Sequence, residues 1–367
     1  MLRRIHYDLH TQGEMQIFQD SDSFYAFISA ILLILVLISG HSTNGASRWF
    51  NLAGIQFQPS EFAKGAVVLG VAQILSAMQT GNGADKKAFR YVLITSSAFI
   101  LLIGLENLST ALLLCITITC MMIIGRVPAK QIGKLLGVAL IFIAVVFTGV
   151  MLIGKDKNDM PQENTLTEQL NTAKEEPSIG EKIFHRADTW KSRIDKFFYS
   201  KDVAPEDVDL DKDAQVAHAN IAIASSNIIG KGPGNSVERD FLSQAFSDFI
   251  YAIIIEEMGI EGAFFVALLY IILFYRAGSI ANRCENNFPA FLCMGLATLL
   301  VVQALFNMLV AVGLAPVTGQ PLPLISRGGT STVINCLYVG IILSISRTAK
   351  KKEDQIADLA MSKKLSE

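Results

Sequence analysis

Repeated apolar stretches long enough for a lipid bilayer constrain this chain more than any other feature. A helix needs about 20 mainly apolar residues to cross the hydrocarbon core. Backbone polar groups in lipid must bond within their own segment, so such stretches form helices. The apolar stretches lie at 24–40, 61–79, 90–104, 108–124, 135–153, 248–275, 289–312 and 330–347. The sequence therefore predicts an all-α polytopic membrane protein with about eight transmembrane helices.

The composition agrees with a membrane protein and excludes several other classes. Of the 367 residues, 51% are hydrophobic and 17% are charged, whereas a soluble domain carries about 25% charged residues. The net charge of −2 gives no reason to expect nucleic-acid binding. The five cysteines lie in or beside apolar stretches without a CxxC pair, so we interpret them as packing residues. The five histidines show no metal-ligand spacing.

Two of the apolar stretches allow more than one structure. The stretch 90–104 is short, and Glu106 and Asn107 separate it from the next one, which would also fit a tight re-entrant turn. The stretch 248–275 contains charged residues and Gly259. It is either one long tilted helix or a short interfacial helix followed by a span that starts near Met258.

Lysine and arginine in the short loops set the predicted orientation. The basic loops, taken as cytoplasmic, hold Arg3, Arg4, Lys86, Lys87, Arg90, Arg126, Lys130, Lys134, Arg276 and Arg283. The predicted order is a cytoplasmic segment 1–23, about five helices in 24–153, a large extracytoplasmic loop 154–247, about three helices in 248–347 and a basic cytoplasmic tail 348–367. The 94-residue loop contains 12 basic and 17 acidic residues. Within it we expect a helix over 214–229 and a tight loop over 230–236.

Polar groups concentrate at the ends of apolar stretches, where charge costs a few kcal/mol and therefore suggests function. The first group is Asn44-Gly-Ala-Ser-Arg48-Trp49 followed by Gln58-Pro-Ser-Glu61. Pro59 to Glu61 predicts a helix start, and Lys64 lies one turn beyond Glu61, so the two are expected to pair. The ordinary interpretation is a capped helix with an interfacial tryptophan.

The second group lies at the predicted outer end of the sixth apolar stretch. Asp248 precedes the apolar run, and Glu256 and Glu257 follow within it. An aspartate in that position is often a helix N-cap, worth about 1 kcal/mol. A cap does not need the two glutamates, which are alternatively carboxylates bonded to neighbouring helices.

The third group is the glycine- and proline-rich segment 313–331. This density predicts a rigid non-helical loop, which is tolerated at membrane depth where it lines a protein cavity. Ser326, Arg327 and the two following glycines precede the last apolar stretch, where they can hold an anion at a helix N-terminus. A plain connecting loop is the alternative.

Together these motifs resemble the SEDS family of bacterial peptidoglycan polymerases. The resemblance covers residues 44–347 and rests on Asn44–Trp49 with Gln58–Glu61, on Ser247–Ala252 with Glu256–Gly259, and on Gly313–Ser326. It is closer to the division branch of the family, in its Bacteroidetes form, than to the elongation branch. It implies a glycosyltransferase that joins lipid II units, with inversion at the anomeric carbon, outside the bacterial cytoplasmic membrane. It also implies a class B penicillin-binding protein transpeptidase and other divisome proteins as partners at the division septum.

The resemblance also assigns residues. The family's essential aspartate falls on Asp248 and its essential arginine on Arg48. Inverting transfer needs a base for the acceptor hydroxyl and positive charge for the departing pyrophosphate. Candidate substrate-binding residues are Arg48, Glu61, Lys64, Arg193, Arg239, Glu256, Glu257, Ser326 and Arg327. A divalent cation, Mg²⁺ or Mn²⁺, is compatible with a pyrophosphate leaving group, but no metal-ligand cluster is visible beyond Asp248, Glu256 and Glu257.

The sequence departs from the family pattern in three places. The family has ten spans, and the first two are expected to be missing here. The loop before the last span carries Arg327 where the family has tyrosine, and the segment Glu106–Thr110 replaces a family motif that contains an aspartate. A lipid II flippase and a scaffold that recruits the transpeptidase are the competing hypotheses. A flippase needs a polar path through the bilayer, whereas the middle of most stretches is apolar.

Overall fold

The computed structural model describes residues 41–43, 46–52, 55–81, 83–153, 197, 214–242 and 245–366. The predicted span 24–40, Arg193 and most of the segment 154–213 lie outside these residues. The described chain is mostly helical, which confirms the predicted fold class. It divides into two compact units. The first comprises the described residues of Met1–Ile132, Glu261–Leu305 and Gln320–Glu367, and the second those of Gly133–Ile260 and Phe306–Gly319.

A small antiparallel sheet, which the sequence did not lead us to expect, precedes the first of the described helices. It consists of β1 (His41–Thr43), β2 (Ala46–Leu52) and β3 (Ile55–Phe57), in the order β1-β2-β3. His41 pairs with Trp49, and Phe50 pairs with Phe57. Aromatic and β-branched residues favour strands. Pairing between the strands satisfies the backbone N–H and C=O groups of this non-helical segment. Arg48 and Trp49 of the first group therefore lie on a strand.

Four helices follow, and their ends are set by recognisable residues. They are α1 (Pro59–Ala77), α2 (Lys86–Glu106), α3 (Leu108–Ile124) and α4 (Ala129–Ile153). A short hairpin of β4 (Gln79–Thr80) and β5 (Gly83–Ala84) connects α1 to α2. Helix α1 begins at Pro59, as predicted. Asn107 separates α2 from α3 and caps α3, since its Oδ1 accepts hydrogen bonds from the Ser109 and Thr110 amides at 3.1 and 3.4 Å.

Four more helices complete the described chain. They are α5 (Ala214–Ser225), α6 (Ile250–Arg283), α7 (Asn287–Ala311) and α8 (Thr330–Ser366), with a short 3₁₀ turn at Glu238–Asp240. Helix α6 is broken at Gly259, whose φ of 69° and ψ of −170° are not helical. The alternative of a short helix followed by a span from near Met258 is therefore the one observed.

Four described helices are long and apolar enough to cross a membrane. They are Lys86–Gly104, Ile250–Arg283, Asn287–Ala311 and Thr330–Ala349, with Leu108–Ile124 as a shorter apolar helix. Their outward side chains include the exposed Ile94, Leu101 and Phe264. Close packing holds the first unit together. A Cβ atom on Gly295 would lie 2.6 Å from Met121 and 2.7 Å from Val68, so these helices approach as closely as a glycine allows.

Candidate active site

Asp248 lies in a turn immediately before α6, at the position where the sequence predicts the catalytic base. Its side chain is half-buried, and Phe249 beside it is fully buried. The Ser247 hydroxyl donates a hydrogen bond to Asp248 Oδ1 at 2.9 Å. The buried Asn307 of α7 donates from Nδ2 to the Asp248 carbonyl oxygen at 2.8 Å. Because both the carboxylate and its backbone are held, this acid has a fixed orientation and remains accessible.

The glycine-rich loop 230–236, which is tight as predicted, packs against the kink in α6 and donates hydrogen bonds to its backbone. The carbonyl oxygens of Glu256 and Glu257, just before the kink, accept hydrogen bonds from the amides of Lys231 and Gly232 at 2.9 and 2.8 Å. These bonds replace the helical bonds that a break removes. A Cβ atom on Gly259 would lie 2.0 Å from the Ile228 carbonyl oxygen, so only glycine fits there.

The Glu256 carboxylate binds the same loop. It is fully buried and accepts a hydrogen bond from Lys231 Nζ at 2.6 Å, from the Ser236 hydroxyl, and from the Val237 amide at 3.1 Å. Its second oxygen lies 3.4 Å from the Glu238 amide nitrogen. These partners belong to the loop and the turn that follows it, not to a neighbouring helix. Among the described residues, Glu256 accepts the hydrogen bonds that hold the loop against α6.

The loop is tied in turn to α5. Glu238 Oε2 lies 2.6 Å from His218 Nδ1, and the His218 ring stacks on Phe241 with 5.3 Å between ring centroids. Arg239 donates from its backbone amide to the Ser236 hydroxyl at 3.1 Å and pairs with Asp240 at 3.3 Å. A continuous chain of polar contacts therefore connects α5, the loop and the short helix that follows Asp248.

In the first unit, Glu61 and Lys64 form the predicted ion pair, at 2.8 Å. Both side chains are buried, with at most 1% exposed. Lys64 Nζ also donates to Gln303 Oε1 at 2.8 Å, and Gln303 Nε2 donates to the Pro321 carbonyl oxygen at 3.1 Å. The pair thus connects α1 through α7 to the proline-rich loop. Glu61 and Lys64 therefore help to position this loop, and neither side chain is exposed at the surface.

Other side chains of the same unit fix the proline-rich loop, which comprises residues 320–329. Gln320 Nε2 donates to Thr110 Oγ1 at 2.9 Å, and the Tyr270 hydroxyl donates to the Pro323 carbonyl oxygen. The Leu322 amide donates to the buried Ser326 hydroxyl at 2.7 Å. Ser326 therefore shapes the loop, while the adjacent Arg327 is exposed.

The remaining candidates occupy different settings. Arg48 lies on β2, Glu257 is half-buried in α6, and Arg239 is about one-third exposed. Within the described residues, no three histidine, cysteine, aspartate or glutamate side chains come together as a metal site. Of the three carboxylates considered for a cation, Glu256 is already occupied by donors from the loop.

Sequence reasoning missed several residues of these networks. Lys231 and Ser236 pair with a glutamate 25 and 20 residues away, a separation that no local pattern reports. Gln303 offered a usable signal, because a lone glutamine in an apolar span needs a partner. Tyr338, whose hydroxyl donates to the Glu61 carbonyl oxygen at 2.6 Å, gave no signal.

Apolar helices of bilayer length, with a glycine kink and a proline-rich loop held by buried polar side chains, define a multi-pass helical membrane protein. The chain belongs to the FTSW_RODA_SPOVE family, whose model is described as "Cell cycle protein" and matches residues 11–351. The resemblance stated from the motifs is thereby confirmed.

Two curated relatives carry the same name. The "Probable peptidoglycan glycosyltransferase FtsW" of Bacillus subtilis (strain 168) is 29% identical over 345 residues, covering 92% of this chain and 77% of the relative. The protein of the same name from Trichlorobacter lovleyi is 30% identical over 331 residues, covering 88% and 75%.

Solved structures share the fold. A chain from "Structural coordination of polymerization and crosslinking by a peptidoglycan synthase complex" matches with a TM-score of 0.65 and 22% identity, covering 91% of this chain and 83% of that one. The rod shape determining protein RodA of Thermus thermophilus matches with a TM-score of 0.55 and 21% identity, covering 91% and 80%.

Proposed function

We propose that this protein is a peptidoglycan glycosyltransferase that polymerises lipid II into glycan strands during septal wall synthesis. Family membership and the shared name of the relatives support the class of reaction. The observation that carries the proposal is Asp248, an accessible carboxylate held by Ser247 and Asn307 at the start of an apolar helix. The reaction is placed at the outer face of the bacterial cytoplasmic membrane, with both termini on the cytoplasmic side.

In the proposed reaction, Asp248 is the general base. An acceptor sugar hydroxyl attacks the anomeric carbon of the donor from the face opposite the pyrophosphate. The new carbon–oxygen bond forms as the bond to pyrophosphate breaks, and the hydroxyl proton passes to the Asp248 carboxylate. Undecaprenyl pyrophosphate leaves and the anomeric configuration is inverted. One hydrogen bond to the carboxylate and one to its backbone lower the entropic cost of reaching this geometry.

Positive charge stabilises the departing pyrophosphate. Arg48 is our first candidate, by resemblance, with Arg193 also retained. Arg239 and Arg327 have exposed surface and are available to an anion. Lys64 is buried in its pair with Glu61, so we assign both residues to positioning of the proline-rich loop. Glu256 has the corresponding role for the glycine-rich loop, and Glu257 remains a candidate for contact with substrate.

A transpeptidase is the proposed partner. One structural relative comes from a peptidoglycan synthase complex described as coordinating polymerisation and crosslinking. A class B penicillin-binding protein and other divisome proteins would supply the crosslinking step to the strands made here.

The test is polymerisation by purified protein. The full chain and its transpeptidase are incubated with labelled lipid II, and products are resolved as a glycan ladder. We expect Asp248→Asn to lose at least about 100-fold in polymerisation rate, the range attributed to a positioned acid or base. Asp85→Asn is the matched control, because this carboxylate is exposed and asparagine caps a helix equally well, and it should keep the wild-type rate.

The other hypotheses predict different results. A flippase would move lipid II across vesicle membranes at the same rate in the wild type and in Asp248→Asn, and neither protein would make a ladder. A scaffold would retain transpeptidase binding without any ladder from the wild-type pair. An undiminished ladder from Asp248→Asn would overturn the assignment of the base.

A further inference from the structure

A cavity lies between α6 and α8, and none of the residues that line it has a role assigned above. Its volume is about 210 Å³, and both helices contribute to it within the first unit. It is lined by Arg276, Ser279, Ile280, Arg283, Ser346 and Ala349. Two arginines and two serines in one cavity, without an acidic residue in the lining, indicate an anion as its occupant.

The spacing of the lining residues explains the cavity. Arg276, Ser279 and Arg283 lie at intervals of three and four, on one face of α6. Ser346 and Ala349 lie one turn apart on α8. Because the α8 residues are small, they leave room between the helices that the long arginine side chains can border.

The charges in this cavity are incompletely compensated. Arg276 has an exposed side chain and no hydrogen-bond or ion-pair partner among the described residues. Arg283 has a polar partner of its own in the chain. The Arg276 guanidinium therefore brings to the cavity a positive charge that no described acidic side chain pairs. Guanidinium groups bind phosphate with paired N–H donors, and serine hydroxyls can donate to its other oxygens.

The position of the cavity fits a lipid headgroup. Arg276 follows directly after the apolar run of α6, and Ser346 lies near the end of the apolar part of α8, whose candidate span is Thr330–Ala349. Arg347 and the lysines 350–352 continue the basic character. On the charge distribution of the loops this is the predicted cytoplasmic side, where basic pockets between helices bind anionic lipid headgroups.

We propose that this cavity is a binding site for the phosphate group of an anionic phospholipid. The same donors would also accept a free phosphate ion, so the shared chemistry is a phosphate-bearing anion at the membrane surface. The inference rests on the cavity and on the multi-pass fold, and it does not depend on the proposed glycosyltransferase activity.

The test compares lipid binding by matched variants of the full chain. The protein is purified in a neutral detergent, and binding of phosphatidylglycerol and phosphatidylcholine is measured by native mass spectrometry. The variant Arg276→Gln/Arg283→Gln removes the cavity charges. The control Arg90→Gln/Lys130→Gln removes two exposed positive charges from the same predicted side, outside the cavity. We expect the first variant to bind phosphatidylglycerol at least fivefold more weakly, and the control to bind it within twofold of the wild type.

A second variant tests the cavity separately, in case the double variant does not fold. Ser346→Leu fills the cavity without changing charge and should also weaken phosphatidylglycerol binding, with an unchanged unfolding midpoint in lipid-free detergent. Competition by millimolar inorganic phosphate would identify the free ion as an occupant, whereas resistance to it would identify the lipid; both results support a phosphate site. Equal losses in the cavity and control variants, or equal binding of both lipids by the wild type, would overturn the proposal.

Discussion

Two lysine–glutamate pairs serve similar purposes in the two units but differ in their surroundings. Glu61 and Lys64 are both buried and lie three residues apart on α1. Lys231 and Glu256 lie 25 residues apart, and Lys231 keeps 29% of its side chain exposed. Each pair fixes an irregular segment: Lys64 reaches the proline-rich loop through Gln303, and Glu256 binds the glycine-rich loop directly.

The two pairs differ in what remains to stabilise a buried charge when its partner is removed. Lys64 has two acceptors, Glu61 and Gln303, and its side chain is fully buried. Glu256 has loop donors besides its lysine. A buried charge that loses its partner costs several kcal/mol, whereas a charge with other donors or with access to water costs less. The pairs should therefore respond differently to the same substitution.

The largest effect is expected from Lys64→Met. This change leaves the Glu61 carboxylate buried without its cation and removes the donor to Gln303. We expect a loss of about 3–5 kcal/mol in the free energy of unfolding, the range for breaking a buried ion pair. The measurement is unfolding of the detergent-solubilised protein on titration with a denaturing detergent, followed by circular dichroism.

Two variants sharpen this result. Lys130→Met removes an exposed lysine and should leave the midpoint within error. Glu61→Gln/Lys64→Met removes both charges and should recover at least half of the loss, since no charge remains buried. A double variant as unstable as the single one would show that the lysine contributes through packing rather than through its pairing.

Gly259→Ala should have the next largest effect, through the second unit. The φ of 69° disfavours alanine, and its Cβ would lie 2.0 Å from the Ile228 carbonyl oxygen. Strain of this type costs about 1–3 kcal/mol, and we expect it to detach the loop from the kink. Trypsin should then cleave after Lys231 several-fold faster than in the wild type.

The matched control is Gly137→Ala. This exposed helical glycine has no heavy atom within 4 Å of the position that a Cβ would take, so alanine should be neutral or stabilise by about 0.5–1 kcal/mol. An unchanged rate of cleavage after Lys231 in Gly259→Ala would mean that the loop is held without the kink.

The contrast between the pairs also marks what the sequence could predict. Pro59 predicted the start of α1. The three-residue interval between Glu61 and Lys64 predicted that these two side chains pair, because helical geometry alone decides which side chains meet there. The glycine and proline content likewise predicted the two irregular loops. A break in α6 near Met258 was one of two alternatives, since a glycine after two glutamates permits a kink without requiring one.

Contacts that depend on tertiary packing could not be predicted from the sequence. Nothing local in the sequence pairs Lys231 with Glu256, or Gln303 with Lys64, because each contact forms only after separate helices have packed. The strands over 41–57 were missed for a similar reason. Their segments are short, and pairing between Trp49 and His41, rather than a long alternating pattern, defines them.

Glu256→Gln is expected to cost about 2 kcal/mol. The amide group is nearly the same size, but it presents an NH₂ donor to a site lined by the Lys231 ammonium, the Ser236 hydroxyl and backbone amides. Hydrogen bonds to a charged acceptor are worth about 1.5–3 kcal/mol, and some remain with the amide oxygen. Hydrogen exchange of the Val237 and Glu238 amides should accelerate in this variant. Unchanged exchange would show that the backbone bonds hold the loop without the carboxylate.

Lys231→Met should have the smallest effect, about 1 kcal/mol. Glu256 would retain the Ser236 hydroxyl and the Val237 amide, and the lysine that is lost is already partly hydrated. The same detergent titration measures it beside Lys64→Met, so that one chemical change is compared in two environments. A difference of at least about 2 kcal/mol between the two variants is expected. Equal losses would contradict the view that burial of the remaining partner, rather than the ion pair itself, sets the cost.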